Sequence, residues 1–285
     1  MNYLLLALTS LTSSSQSIFQ RKYNDNKGVG TFLFSGMLSF FAMLFFIAVN
    51  TDWYYSIELL LPSALFALSY CSGTLFAVLA IKHGSLAKTS LLTSCSMILA
   101  SIYGIILGDP VGVFLILGTA LLITSIVLVN YQKSSSPEKV SFKWVIFVSI
   151  AFLGNGMCMV VQKAKQVIYG NAGNNMFMIT ALAMVTVTML VLSLVFKEER
   201  VTTKLSLSRG WYWALFCGIA NGMTNLLVMY LNSAGVPASV LFPVVSGAGM
   251  TIIFLYSTLI RHEKLSKTQT VGFFIGVLSI VLLNL

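Results

Sequence analysis

The sequence predicts an all-α integral membrane protein with ten transmembrane helices, arranged as two inverted five-helix repeats. Three observations predict this fold class: the composition, a series of charge-free segments and an internal repeat. The chain has 285 residues, of which 57% are hydrophobic and 9% are charged, whereas about a quarter of the residues are charged in soluble domains. A membrane-spanning helix needs ~20 apolar residues, so a chain of this length has room for about ten spans joined by short loops.

Ten segments without charged residues mark the predicted spans, because a charged side chain at the centre of the bilayer is energetically costly. Trp53, Trp144 and Trp211 fall beside segment ends, where aromatic side chains prefer the headgroup region. The eighth and ninth spans come from one uncharged stretch, which we divide before Pro237 because proline favours the start of a helix. The predicted spans are 2–20, 28–51, 59–81, 89–108, 110–132, 144–162, 174–196, 210–231, 238–260 and 268–285.

Lysine and arginine are distributed unevenly between the loops. The loops that follow the odd-numbered spans hold 15 of the 17 basic residues, and only Lys163 and Lys165 lie elsewhere. Cytoplasmic loops retain an excess of Lys and Arg, so we place these loops in the cytoplasm, both termini outside, and the chain in the plasma (inner) membrane as a multi-pass protein. We call the end of the bundle with the odd-numbered loops the basic face, and the opposite end the charge-poor face.

Two stretches of the sequence match at a single offset of 154 positions, in the fifth and the tenth predicted spans. Both contain the run Ser-Ile-Val-Leu, and the polar or small residues around it stay in register, which indicates a duplication. A weaker match at an offset of 142 relates the first span to the sixth. The matched pairs are Gly118 with Gly272, Ser125 with Ser279, Asn130 with Asn284, Gln20 with Gln162, and Ser13 with Asn155.

The repeat divides the chain into 1–131 as the first five-helix repeat, 132–143 as a cytoplasmic linker and 144–285 as the second five-helix repeat. Five is an odd number, so the second repeat must enter the membrane in the opposite orientation. The basic loops agree with this inversion. In the first repeat they follow its first and third spans, whereas in the second repeat they follow its second and fourth spans. Many secondary transporters are built from inverted repeats that expose a midplane site to either side. A duplication without alternating access is the alternative.

Uncharged polar side chains inside the predicted spans are the candidate substrate-binding residues. An amide or hydroxyl in hydrocarbon must find partners, so helical faces that carry such groups are expected to point inward. The alternative is that these groups form hydrogen bonds between helices and only support packing. The candidates are Ser13, Gln16, Gln20, Thr93, Ser96, Tyr103, Asn155, Gln162, Asn221, Asn225 and Ser246.

The acidic residues and both histidines lie in predicted loops or at helix ends. Proton antiporters and intramembrane metalloenzymes depend on ionisable residues at mid-membrane depth, so the sequence weakens both interpretations. We expect no catalytic residue, no metal and no cofactor, and we do not expect an enzyme.

Pro243, Gly247 and Gly249 in the ninth span suggest a hinge, because proline removes a backbone hydrogen bond and glycine loosens the helix. Close helix packing by small residues is the alternative. Lys163 and Lys165 are expected to extend to the membrane surface. The pattern from Gly272 to Gly276 could pack the tenth span against another helix or against a second copy, which would make the protein a homodimer.

The stretch Glu263-Lys-Leu-Ser-Lys-Thr-Gln-Thr-Val-Gly272, together with Pro243 in the preceding span, resembles the drug/metabolite transporter (DMT) superfamily and its EamA-like branch. The likeness covers the whole chain in architecture and is strongest in sequence from Ala238 onward. It implies export or exchange of small metabolites, amino acids or drugs. It also implies a central cavity lined mainly by spans one, three, four, six, eight and nine.

These observations lead to a functional hypothesis: a secondary transporter, either an exporter or a facilitator, that moves small polar or amphipathic solutes by alternating access. The expected partners are a small-molecule substrate and the lipid bilayer. Nucleic acid is not expected, because the net charge of +9 is scattered over short loops and forms no patch on a soluble domain. A lipid-carrier flippase is the first alternative, and an intramembrane enzyme or a scaffold is less favoured.

Overall fold

The computed structural model describes residues 2–27, 30–51, 53–83, 89, 92–129, 141–196, 210–260, 262 and 266–283. These residues form helices and short connections and contain no β-strand, which confirms the all-α fold class. The helices are α1 Asn2–Lys27, α2 Thr31–Val49, α3 Leu60–His83, α4 Met97–Ile106, α5 Val113–Val129, α6 Phe142–Tyr169, α7 Asn174–Val195, α8 Trp211–Ser233, α9 Ala238–Leu255 and α10 Lys267–Leu283. A 3₁₀ turn at Ile57–Leu59 precedes α3, and a π-helical turn at Tyr256–Ile260 extends α9.

Six of these helices, α2, α3 and α6 to α9, are long and apolar enough to cross a membrane. They are typical of a membrane-embedded protein. Helices α5 and α10 are apolar but have 17 residues each, and α4 has 10. Helix α1 has 26 residues, but Ser, Thr and Gln interrupt its apolar face. The ten-span count therefore stays a prediction.

The predicted fourth span, 89–108, is not one continuous helix. A turn at Cys95 and Ser96 interrupts the helical stretch that begins at Leu92. The backbone N–H groups of Cys95 and Ser96 donate to carbonyl oxygens three residues earlier, at distances of 3.2 Å, and this tighter spacing rotates the side chains out of the α-helical register. The turn therefore interrupts the helical register between two candidate residues, Thr93 and Tyr103.

The described loops meet at one end of the bundle. Asn175 Nδ2 donates to Asn50 Oδ1 at 3.2 Å, which joins the loop after α2 to the start of α7. The backbone N–H and hydroxyl of Ser239, at the start of α9, both donate to Asp109 Oδ2 at 2.9 Å. This end is the charge-poor face. Most of the predicted linker (132–140), Lys88 and most of the basic loops lie outside the described residues, whereas Phe142 and Lys143, at the end of the predicted linker, form the start of α6.

Helices α5 and α10 pack antiparallel through two reciprocal hydrogen bonds. Ser125 Oγ donates to the carbonyl of Gly272 at 2.6 Å, and Ser279 Oγ donates to the carbonyl of Gly118 at 2.9 Å. These four residues are two of the pairs matched in the sequence, so each serine bonds to the glycine of the other copy. The two segments therefore match because they form one self-complementary contact.

The glycines in this contact permit the close approach of the two helices. A Cβ atom at Gly118 would lie 2.7 Å from Leu283 Cγ, and one at Gly272 would lie 2.7 Å from Leu128 Cβ, which is closer than carbon atoms pack. A Cβ atom at Gly276 would lie 2.5 Å from Ser125 Oγ. The two glycines spaced by four thus pack α10 against α5 within the chain, so this pattern does not support the predicted homodimer.

Two further helix crossings correspond between the halves of the chain. Cys217 Sγ donates to the carbonyl of Gln16 at 3.3 Å where α8 crosses α1, and Cys158 Sγ approaches the carbonyl of Phe66 at 4.0 Å where α6 crosses α3. Gln16 and Cys158 are 142 positions apart, which is the offset of the weaker sequence match. The α1–α8 crossing and the α6–α3 crossing are thus counterparts.

The same offset relates the contacts of α1 and α6 with their next neighbours. Ser14 on α1 donates its hydroxyl to the carbonyl of Gly249 on α9 at 3.2 Å. Gly156 on α6, which is 142 positions after Ser14, faces the carbonyl of Ser96 beside α4, where a Cβ atom would lie at 2.7 Å. The contacts of α1 with α8 and α9 thus correspond to the contacts of α6 with α3 and α4.

The two halves of the sequence do not form separate bundles. Helix α1 packs mainly on α8 and α9, α6 on α3 and α4, α2 on α7 and α8, and α5 on α10. One hydrophobic core lies between α4, α5, α9 and α10 around Leu122 and Leu241, and another lies between α2, α3 and α7 around Phe46 and Phe177. The helices of 1–131 are therefore interleaved with those of 144–285.

Candidate functional site

A chain of four side-chain amides crosses the interior from α6 through α8 to α1. Gln162 Nε2 donates to Asn225 Oδ1 at 2.8 Å, Asn225 Nδ2 donates to Asn221 Oδ1 at 3.1 Å, and Asn221 Nδ2 donates to Gln16 Oε1 at 3.2 Å. Gln162 and Asn221 are 6% and 9% exposed. We call these four residues the amide chain. The sequence predicted all four as substrate-binding residues, and the structure brings them together.

A backbone group fixes the polarity of the amide chain. Asn225 Nδ2 also donates to the backbone carbonyl of Asn221 at 2.9 Å, and a carbonyl can only accept, so this side of the Asn225 amide must be its nitrogen. Its oxygen then faces Gln162, and the order of every other amide follows. Among the described residues, Oε1 of Gln162 and Nε2 of Gln16 have no hydrogen-bond partner. The chain therefore offers an acceptor at α6 and a donor at α1.

Two lysines lie buried at the charge-poor end of α6. Lys165 is 2% exposed, and its Nζ donates to the carbonyls of Gly170 at 3.0 Å and Ala172 at 2.8 Å and to Asn174 Oδ1. Lys163 is 8% exposed, and its Nζ donates to the carbonyl of Val236 at 3.3 Å. The expectation that both extend to the membrane surface is wrong, because loop carbonyls fold over the end of α6 and solvate the ammonium groups. All three Lys165 donors are occupied.

Asn155 lies apart from the amide chain, at the crossing of α6 and α3. A Cβ atom at Gly73 would lie 2.9 Å from Asn155 Oδ1, so the amide is held against the backbone of α3. Asn155 and its counterpart Ser13 are both half-buried. Neither side chain forms a hydrogen bond with another described residue. Both groups are therefore available to a bound molecule.

The remaining candidates are not part of the amide chain. Thr93 Oγ1 donates to the carbonyl of Thr89 at 3.0 Å, within its own turn. Ser96 is buried and faces α6 through its backbone. Tyr103 and Ser246 are half-buried, and Gln20 is exposed. No hydrogen bond between described residues joins these five side chains to the amide chain.

The predicted hinge in α9 is a regular part of the helix in this structure. The helix runs without interruption past Pro243. A Cβ atom at Gly247 would lie 3.0 Å from both Ile280 Cγ1 and Leu122 Cδ1, and the carbonyl of Gly249 accepts the Ser14 hydroxyl. The glycines thus pack α9 against its neighbours, which was the alternative interpretation. A hinge role for Pro243 stays a prediction.

A pocket of about 460 Å³ opens at the charge-poor face between α2, α7 and α8. Its polar lining includes Thr51, Asn175 and Tyr230, and also Asn171 and Ser233, which both bond to Gln166 on α6. Sequence analysis missed this group of residues. The run Asn-Ala-Gly-Asn-Asn at 171–175 was the available signal, since so many amides in one loop are unusual in an apolar chain.

A second crevice, of about 400 Å³, lies between α1, α9 and α10 on the outer surface of the bundle. It is lined by apolar side chains, among them Leu11, Ile252 and Val281. The hydroxyl of Ser10, which also lines it, is bonded to the carbonyl of Leu6 at 2.8 Å. This surface is therefore suited to hydrocarbon.

The comparisons with known proteins support the fold and leave the family open. No protein-family model matches the chain, and no curated protein matches it. The chain is similar to a solved structure, a crystal structure of a protein, with a TM-score of 0.79 and 12% sequence identity. The similarity covers 99% of this chain and 95% of the other. At this level of identity the likeness shows a shared fold and carries no statement about function.

Proposed function

We propose that this protein is a secondary transporter that moves small polar or amphipathic solutes, such as amino acids, related metabolites or drugs, by alternating access. The amide chain carries the proposal. It places four uncharged donor and acceptor groups inside an apolar bundle, and both of its ends have unused hydrogen-bonding capacity. Among the described residues, the Gln162 oxygen and the Gln16 nitrogen have no partner, so both can bond to a polar solute.

The packing of the helices supports the transport mechanism. Contacts of α1 and α6 recur at one offset, and α5 and α10 form a reciprocal contact, as expected for inverted halves that exchange roles during transport. The resemblance of 263–272 to EamA-like transporters points to the same class. On this proposal the protein is an exporter or facilitator in the plasma (inner) membrane.

Purified protein in liposomes tests the proposal. A thermal-shift screen of metabolites identifies candidate solutes first, since a ligand that binds the folded state raises its stability. Transport of each candidate is then measured with and without a solute gradient. Asn225→Leu is expected to lower the transport rate at least tenfold, because it removes the central amide. Thr124→Val is the matched control, since its exposed hydroxyl bonds only to its own helix, and its rate is expected to stay within twofold of wild type.

A protein that binds and moves none of the screened solutes, or an Asn225→Leu variant that transports at the control rate, contradicts the proposal.

A lipid-carrier flippase is the second candidate, and the apolar crevice between α1, α9 and α10 favours it. A flippase needs a lipid-facing groove for an acyl or isoprenoid chain beside a polar site for the headgroup. The two activities are separated by measuring the movement of a fluorescent lipid between leaflets of the same liposomes. Leaflet exchange without solute transport would select the flippase.

A further inference from the structure

The contact between α6 and α8 at the charge-poor face has no equal among the described residues at the basic face, where the corresponding helices are α1 and α3. Helices α6 and α8 touch near their C-terminal ends, where Gln162 bonds to Asn225, Ser233 Oγ donates to Gln166 Oε1 at 3.2 Å, and Lys163 reaches the carbonyl of Val236. Their counterparts are α1 and α3. In the described part of these two helices, no hydrogen bond and no comparable packing joins them.

The matched glutamines show the same difference. Gln20 and Gln162 stand 142 positions apart, the offset that also relates the crossings of α1 and α6 with their neighbours. Gln162 is 6% exposed and bonded to Asn225. Gln20 is exposed and bonds to no described residue. Equivalent groups in the two repeats are therefore in opposite states, one enclosed and one open.

The exposed surface of α1 changes from apolar to polar along the helix. Leu4 and Leu11 are exposed near its start, whereas Gln20 is exposed and Ser13 is half-exposed further on. At about 100° per residue, Ser13 and Gln20 lie about 180° around the helix from the leucines. The leucines face lipid, so Ser13 and Gln20 face the interior of the bundle. This interior surface is exposed toward the C-terminal end of α1, which lies at the basic face.

The α1–α8 pair is held together independently of this opening. Asn221 bonds to Gln16, Thr224 Oγ1 donates to Thr12 Oγ1 at 2.9 Å, and Cys217 donates to the carbonyl of Gln16. Two of the three bonds in the amide chain thus lie within α8 or between α8 and α1. Only the bond between Gln162 and Asn225 joins α6 to α8.

We propose that, between α6 and α8, the bundle is closed toward the charge-poor face and open toward the basic face, and that the Gln162–Asn225 bond is the closing contact. The pocket on the charge-poor face lies between α2, α7 and α8, and neither Gln162 nor Asn225 lines it. In the opposite state α6 parts from α8, and α1 closes on α3. Gln20 then meets α3. The moving units are α1 with α8 and α3 with α6. This inference rests on the proposed transport function and assigns the residues that switch access to its site.

Thiol labelling in oriented vesicles tests the direction of opening without any solute. The four native cysteines are replaced by alanine, and single cysteines are labelled with a membrane-impermeant maleimide. Gln20→Cys is expected to react from the side that labels Lys133→Cys, a residue of a predicted basic loop, and at least tenfold faster than the lipid-facing control Leu8→Cys. Labelling of Gln20→Cys at the Leu8→Cys rate overturns the proposal.

Disulfide cross-linking tests the closing contact. In the same background, Gln166→Cys with Ser233→Cys is expected to cross-link with an added oxidant, to abolish transport, and to recover it with a reductant. Thr12→Cys with Thr224→Cys, which lies within one moving unit, is expected to cross-link and keep more than half of the transport rate. Full transport by the cross-linked 166–233 pair refutes the gate. If no solute is transported but Gln20→Cys labels as expected, the proposed function fails and the assigned opening stands.

Discussion

Helices α5 and α10 form a contact that maps onto itself when the two halves of the chain are exchanged, whereas the contact of α6 with α8 maps onto a different pair, α1 with α3. The first contact has both of its serine–glycine bonds in place at once. The second is made on one side only. The difference teaches which contacts can serve as permanent supports in an inverted-repeat bundle and which can act as switches. A contact that is its own counterpart, such as α5 with α10, is the same in both states. A contact whose counterpart is a different helix pair, such as α6 with α8, can break when that counterpart forms.

The strongest test of the permanent contact is Gly272→Val. Its Cβ would lie 2.7 Å from Leu128 Cβ and 2.9 Å from the backbone nitrogen of Val129, and a backbone atom cannot move aside as a flexible side chain can. Overpacking of this kind costs about 1 to 3 kcal/mol or more, so we expect little folded protein after purification. Gly112→Val is the control, because no atom lies within 4 Å of a Cβ there. Equal melting temperatures for the two variants would contradict the assignment.

The closed end is tested next by comparing its two lysines. Lys165→Met removes three charged hydrogen bonds and leaves loop carbonyls without their partner, whereas Lys163→Met removes one bond. A hydrogen bond to a charged group contributes about 1.5 to 3 kcal/mol. We therefore expect Lys165→Met to lower the free energy of unfolding by about 2 kcal/mol more than Lys163→Met. Chemical unfolding in detergent measures both values, and a larger loss in Lys163→Met would refute the described capping of α6.

A smaller effect is expected when the bond between α6 and α8 at the charge-poor face is removed directly. Gln162→Leu removes the bond to Asn225, which stabilises the closed end by about 1 kcal/mol. The loss shifts the equilibrium roughly fivefold toward the opposite state, in which Gln20 is covered. We expect Gln20→Cys to react more slowly in this variant, by at most about fivefold. Thr224→Val, within the α1–α8 unit, should leave the rate unchanged. A faster reaction in Gln162→Leu would reverse the assigned direction of the switch.

The smallest effect, and the sharpest test of symmetry, comes from the two serines. Ser125→Ala and Ser279→Ala each remove one hydrogen bond of the reciprocal pair. Side-chain hydrogen bonds between helices in membrane proteins average about 0.6 kcal/mol, so each variant should lose a similar small amount of unfolding free energy. Both serines are fully buried, which makes the comparison matched. A loss of more than about 2 kcal/mol in one variant alone would show that the two bonds are not equivalent.

Local patterns in the sequence predicted the features that depend on single segments. The charge-free windows located the helices, since each follows from the cost of placing charge in hydrocarbon. Amide spacing on α1, α6 and α8 identified Gln16, Gln162, Asn221 and Asn225, because polar groups on one helical face share a surface. The match of Gly118 with Gly272 was also visible, although its physical reason, a shared contact, appears only when α5 and α10 are side by side.

The features that sequence analysis missed depend on neighbours that are distant in the chain. The burial of Lys165 depends on loop carbonyls that fold back over α6, and hydropathy contains no information about such a fold. The turn at Cys95 and Ser96 contains neither proline nor glycine, so no local signal marks it. The interleaving of the halves is a property of helix packing, and a linear repeat gives no indication that α1 contacts α8 more than α2.

The reciprocal bonds between α5 and α10 also bear on how such a chain can arise. Each five-helix segment carries both partners of the contact, the serine and the glycine. A gene encoding one segment alone would therefore yield a polypeptide able to pair with an identical copy inserted the other way up. Fusion of two such genes would preserve that pairing without inventing a new surface. The matching serines and glycines of α5 and α10 are the features that such a fusion would leave in the chain.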